Sequence, residues 1–117
     1  MDKLNFVFLI WEDNHWEQLF SHIANISKQA AMIDKIVVVA VGTALLSYLK
    51  STHLDTVKAA ISHWKKENVE FYLCGNTLSK YGIDEDRILP EIKIAHEGGL
   101  LKVATLESMG YHTITLE

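Results

Sequence analysis

Residues Lys35–Val41 read KIVVVAV, an apolar, strongly β-branched run of strand length. Apolar residues occupy both of its alternating faces after Lys35, so neither face is built to meet water. A strand of this kind belongs in a sheet covered by helices on both sides. Outward from it, Asn5–Ile10 (NFVFLI) has the same two-sided character, and Val69–Cys74 (VEFYLC) is a third strand. Ile92–Ala95 (IKIA) and Tyr111–Leu116 (YHTITL) are shorter candidates.

Helical periodicity fills the gaps. Trp16, Leu19, Phe20, Ile23 and Ile26 form one apolar helix face after the first strand. Asn14 and Glu17 have capping-box spacing at its start, with Asn in place of the usual Ser or Thr. Leu54, Val57, Ile61 and Trp64 repeat the pattern before the third strand, with Thr52 and Asp55 as its entry. Gly42–Lys50 reads as a short helical turn. A short helix runs from Asn76 to near Gly82, and another from about Gly99 to Met109 with Gly110 as its C′ residue. Strands alternating with helices predict an α/β domain with a mostly parallel sheet and right-handed crossovers.

The chain has 117 residues, which suits a single domain over 1–117. Eleven basic against fifteen acidic residues leave a formal charge of −4, the wrong sign for a phosphate-backbone binder, so nucleic acid is not expected as a partner. One cysteine excludes an internal disulfide and a multi-cysteine zinc site. No apolar run is long enough for a membrane span, and the N-terminus lacks the features of a secretory signal, so a cytoplasmic location is expected. Asn25-Ile26-Ser27 fits a glycosylation sequon but falls within a predicted helix. The six histidines show no HExxH pattern: His15 and His22 lie seven apart on one helix face, His53 and His63 read as exposed helix residues, and His112 is on the last strand. Neither a metal nor a cofactor is expected.

Parallel sheets bind ligands at the carboxyl ends of their strands. That rule selects four loops: Trp11-Glu12-Asp13-Asn14-His15, Gly42-Thr43, Cys74-Gly75-Asn76-Thr77 and His96-Glu97-Gly98-Gly99. Cys74 is the sharpest feature. It ends a strand and precedes a helix, where N–H groups at the helix start favour a thiolate, the reactive form of the side chain. Gly75 leaves approach to the sulfur open, and the Thr77 hydroxyl is placed to donate to it. With no second cysteine, any thiol cycle needs another molecule. Packing is the rival reading, since free cysteine is among the most buried residue types.

Glu12, His15 and His96 are candidates for proton transfer from facing loops. Helix capping and solvated histidine are the ordinary alternatives for them. Gly42, Thr43, Gly75, Gly98 and Gly99 are candidate ligand-binding positions. Gly98-Gly99 before a helix offers backbone N–H groups to an anion. The acidic first loop superficially matches a receiver domain, but the third strand ends in Cys74 rather than an acceptor Asp, and no Lys follows a fifth strand. Walker A, GxGxxG and Cys-x5-Arg patterns are absent.

The series Val69–Leu78 (VEFYLCGNTL), Gly82-Ile83-Asp84, Ile88-Leu89-Pro90, Gly98-Gly99 and Met109-Gly110-Tyr111 resembles the DsrE/DsrF-like family of small α/β proteins linked to intracellular sulfur relay. The likeness is closest to DsrE-like proteins with a Cys-x-Asn-Ser/Thr-Leu motif before a Gly-Ile-Asp turn. It covers the chain from about Lys35 onward, and the first thirty or so residues match only in pattern. The resemblance implies a three-layer α/β/α domain with a sheet of about five strands, and homo-oligomers, typically trimers or hexamers. In relay members a cysteine at this place accepts sulfur as a persulfide and passes it to a partner protein. Cys74 is the residue that inherits this role, with Asn76, Thr77 and nearby N–H groups supporting its thiolate. Family members often carry a basic residue, commonly Arg, just before the Gly that ends the short helix. This chain has Tyr81 there, beside Lys80. Two rival readings have Cys74 structural: a non-enzymatic oligomeric module that binds a small ligand or a protein segment, and an oligomeric scaffold.

Overall fold

The computed structural model describes residues 3–52 and 55–116. Five strands, β1 (Leu4–Ile10), β2 (Ile33–Ala40), β3 (Val69–Cys74), β4 (Ile92–Ala95) and β5 (His112–Leu116), form one sheet in the order β4-β3-β2-β1-β5. Every neighbouring pair is parallel. Four helices connect them: α1 (Trp16–Ser27), α2 (Asp55–Lys66), α3 (Gly75–Tyr81) and α4 (Gly99–Ser108). The expected α/β class, with helices on both faces of a five-stranded sheet, is what forms.

Strand alternation divides the core in two. Phe8, Ile10, Ile36, Val38, Ala40, Phe71 and Leu73 point to one face, where Trp16, Leu19, Ile23, Ile61 and Leu78 of α1, α2 and α3 cover them. Val7, Leu9, Val37, Val39, Val41 and Cys74 point to the other, where Val103 and Leu106 of α4 cover them. The division follows from strand order. The crossovers from β1 to β4 all step the same way along the sheet, so helices of one crossover hand fall on one face. The return from β4 to β5 passes back over three strands, and its helix falls on the opposite face. A single ten-residue helix therefore covers that second layer.

The predicted helix faces are confirmed. Trp16 is 1% exposed, and its indole N–H donates to the Ala44 carbonyl over 3.2 Å. Phe20, Ile26, Val57 and Trp64 are partly buried against the same cluster. The expected Gly42–Lys50 turn is a 3-10 helix over Gly42–Tyr48. Gly82 ends α3 with φ +63°, and Gly110 follows α4 with φ +96°. The capping box at Asn14 is not formed. A 3-10 turn over Asp13–His15 precedes α1, and neither start carries a side-chain cap. The loop is tied instead to the loop after β2: the Asp13 N–H donates to Thr43 Oγ1, and the Ser47 hydroxyl to Asp13 Oδ1. His53 and Leu54 lie outside the described residues; His63 is exposed, as expected, and His112 is the first residue of β5.

Candidate functional site

β3 and β4 are neighbours, yet the helices that follow them leave for opposite faces of the sheet, α3 toward the first and α4 toward the second. Such a switch point opens a crevice at the strand ends. Cys74, the last residue of β3, pairs in register with Ala95, the last of β4. Its side chain points to the α4 face. The crevice is a cleft of about 360 Å³ whose walls include Cys74, Asn76, Thr77, Gly98 and Gly99.

Two chain starts converge on the sulfur. The N–H of Gly99, the first residue of α4, donates to Cys74 Sγ over 3.1 Å. At the start of α3, Thr77 is 8% exposed, and its Oγ1 accepts the Gly42 N–H over 3.3 Å. With an oxygen lone pair so engaged, the Thr77 hydroxyl proton is free to point at the sulfur. Burial pushes the thiol up, but the donors outweigh it: Gly99 N–H, then the Thr77 hydroxyl, then the N–H groups of Thr77 and Asn76. The thiol lies below its ordinary value of 9.0. Hydrogen bonds to the charged form are what shift it, since no cationic partner contributes.

Glycine makes the close approach of α4 feasible. A Cβ on Gly99 would lie 2.7 Å from Val41 Cγ1 and 2.9 Å from Cys74 Cβ. Gly98 has φ +98°, a left-handed value that a side chain disfavours. A Cβ there would meet Asn76 Nδ2 at 2.8 Å. Gly42, at φ +57°, lies against the Trp11 carbonyl, where a Cβ would stand 2.8 Å from the oxygen.

The DsrE/DsrF-like family model matches residues 7–116. The chain belongs to that family. No curated protein matches it. Among solved structures, this DsrE-like chain is similar to MTH1491 of Methanobacterium thermoautotrophicum, a protein of unknown function, at 23% identity and a TM-score of 0.85, covering 97% of this chain and all of that one. The YchN protein of E. coli is 16% identical with a TM-score of 0.73, covering 99% of this chain and all of YchN. BT1422 of Bacteroides thetaiotaomicron, also of unknown function, is 14% identical with a TM-score of 0.67, over 94% of this chain and 93% of that one. At these identities the likenesses show the shared fold.

The DsrE-like cleft gathers Cys74, Asn76, Thr77, Gly42, Gly98 and Gly99 of the sequence candidates. Gly75 turns away from it, packed against the Ala95 carbonyl and His96 Cα. Thr43 is exposed and donates to the Trp11 carbonyl over 3.4 Å, bracing the loop without lining the cleft. None of the candidate proton-transfer groups lines the cleft. His96 belongs to a separate hollow with Gly82, Asp84 and Glu85, its side chain 75% exposed and its Nε2 4.0 Å from Glu85 Oε1. His15 is the residue before α1, and its Nδ1 is buried without a hydrogen-bond partner. Glu12 is exposed in the loop after β1. In each case a loop position at the right sheet edge does not settle which way the side chain turns.

Sequence reading missed Lys80, Tyr81, Glu97, Leu100 and Leu101 as wall residues. A signal for two of them was present: Asn76 and Lys80, and Thr77 and Tyr81, are four apart and so share a helix face. Trp11, Tyr81, Leu100 and Leu101 are all exposed at this cleft, giving it an apolar rim. Among the described residues, no group of three or more His, Cys, Asp or Glu comes together to hold a metal. Nor is any helix among them long and apolar enough to cross a membrane.

Proposed function

We propose that this DsrE-like chain is a cytoplasmic sulfur carrier in which Cys74 takes up and hands on a sulfane sulfur. The observation that carries the reading is the Gly99 N–H held on Cys74 Sγ at 3.1 Å inside an open cleft. A stabilised thiolate serves both halves of a relay. In loading, the Cys74 thiolate attacks the outer sulfur of a donor persulfide, R–S–SH. A Cys74–S–SH bond forms, the donor S–S bond breaks, and the donor leaves as R–S⁻. In unloading, an acceptor thiolate attacks the outer sulfur and Cys74 leaves as its thiolate. A lowered thiol value makes it a better leaving group in this second step. No external oxidant is needed, because one S–S bond replaces another. The partners are a sulfur donor and a sulfur acceptor protein, and the carrier acts as a homo-oligomer, a trimer or hexamer by family likeness.

Treatment of the native protein with a persulfide donor, followed by intact mass spectrometry, tests this. The expected result is a gain of one sulfur atom, absent in Cys74→Ser and released by a competing thiol. A thiol that titrates at its ordinary value and never gains mass overturns the proposal.

One observation favours a second reading. Cys74 is only 6% exposed and packs among Val39, Val41 and Val103. In that reading it is a core residue, and the cleft is a binding site for a small ligand or a partner segment, in a non-enzymatic oligomeric module. Cys74→Ser separates the two, since it abolishes sulfur loading in a carrier and leaves ligand binding and assembly unchanged in a module.

A further inference from the structure

The two edges of the sheet are defended unequally. β4, one edge, has four residues, carries the exposed Lys93 and follows Pro90. Short length, lysine and proline are the usual devices that keep an edge strand from pairing with another chain. β5, the other edge, is one residue longer and has neither the lysine nor the proline. It reads HTITL, with three β-branched residues in succession and no Lys, Pro or Gly. Among the described residues its only strand partner is β1, along residues His112–Leu116, so its outer backbone groups have no ladder there. The carboxylate of Glu107 on α4 accepts the Thr113 hydroxyl at 2.8 Å, so one negative charge lies beside the strand without belonging to it.

We propose that β5 is the surface on which two copies of this chain join, pairing antiparallel about a two-fold axis at Ile114 to continue the sheet from one copy into the next. The strand is complementary to itself in that register. Ile114 faces the second copy's Ile114, Thr113 faces the second copy's Thr115, and His112 faces the second copy's Leu116. Threonine and β-branched cross-strand pairs are favourable, and no like-charged side chains meet directly across the strands. A two-fold interface needs such self-complementarity. The pairing specifies a surface for the homo-oligomeric part of the function proposed above and is independent of Cys74 chemistry.

The test combines light scattering with hydrogen exchange on the full chain. The native protein is expected to form an even-numbered assembly, with the amides of residues 112–116 exchanging more slowly as concentration rises. In T113K/T115K each copy sets a lysine opposite a lysine in both Thr–Thr pairs. Association is expected to weaken at least about tenfold, with the Cys74 titration unchanged as evidence that the fold survives. Should the variant misfold, exchange in the native protein decides. Native-protein β5 amides that exchange equally fast at every concentration, or a folded variant that assembles as tightly as the native chain, overturn the interface. A trimer with freely exchanging β5 overturns the interface alone, whereas a monomer overturns the homo-oligomeric part of the function as well.

Discussion

The N–H of Gly99 points at Cys74 Sγ from 3.1 Å, across 25 residues of sequence. The contact joins the first turn of α4 to the last residue of β3. It places the start of a ten-residue helix, with its partial positive charge, against the one sulfur able to form a thiolate.

Alkylation of Cys74 with a small neutral reagent should reach half its limiting rate below pH 9.0, the ordinary thiol value. The stability consequence has a definite sign. A depressed acid contributes stability that is fully present above its unfolded value and is lost as pH falls through the folded one. The stability advantage of the native protein over Cys74→Ser should therefore grow as pH rises through the folded-state thiol value toward 9.0. Denaturant titrations of both proteins across that range check it.

Thr77→Val keeps the shape and removes the hydroxyl. It strips a donor from Cys74 and leaves the Gly42 N–H without its acceptor. The thiol should titrate higher, and stability should fall by about 1–3 kcal/mol, the cost of an unsatisfied buried group. Thr77→Ser, which retains both bonds, should restore the thiol titration. Thiol titration and chemical denaturation of the two variants are the measurements.

Gly99→Ala adds a methyl 2.7 Å from Val41 Cγ1 and 2.9 Å from Cys74 Cβ. The helix start must back away from the strand end, lengthening the N–H to sulfur contact. Overpacking of this kind costs about 1–3 kcal/mol, and the thiol should move upward. Thermal unfolding and alkylation rate report the two effects separately.

His96→Ala should leave both the Cys74 titration and sulfur loading as in the native protein. Its side chain is 75% exposed beside Glu85, outside the cleft. A loss of loading measured by mass spectrometry would place a proton-transfer role back on this residue.

Much of the fold was legible because burial on both faces leaves a local record. Val69–Cys74 and Ile92–Ala95 are strands over the spans read from sequence, and the Trp16–Ile23 stripe packs as its spacing predicts. Local rules failed where long-range partners compete. Asn14 caps nothing, because the loop it belongs to is bonded to Thr43 and Ser47 some thirty residues away. His15 and His96 lie near the correct sheet edge in sequence, but side-chain direction on a loop depends on neighbours that periodicity does not reveal.

By itself the sequence determined the α/β class, the carboxyl edge on which chemistry is expected, and Cys74 as the candidate nucleophile. Each is a property of apolar spacing or of a single residue's place beside a turn. Only the tertiary structure decided what surrounds that sulfur. The return of the chain from β4 across the sheet sends α4 to the opposite face and delivers Gly99 to Cys74. The partner is chosen by strand order and crossover direction, which arise from the packing of the whole chain rather than from any local run of residues.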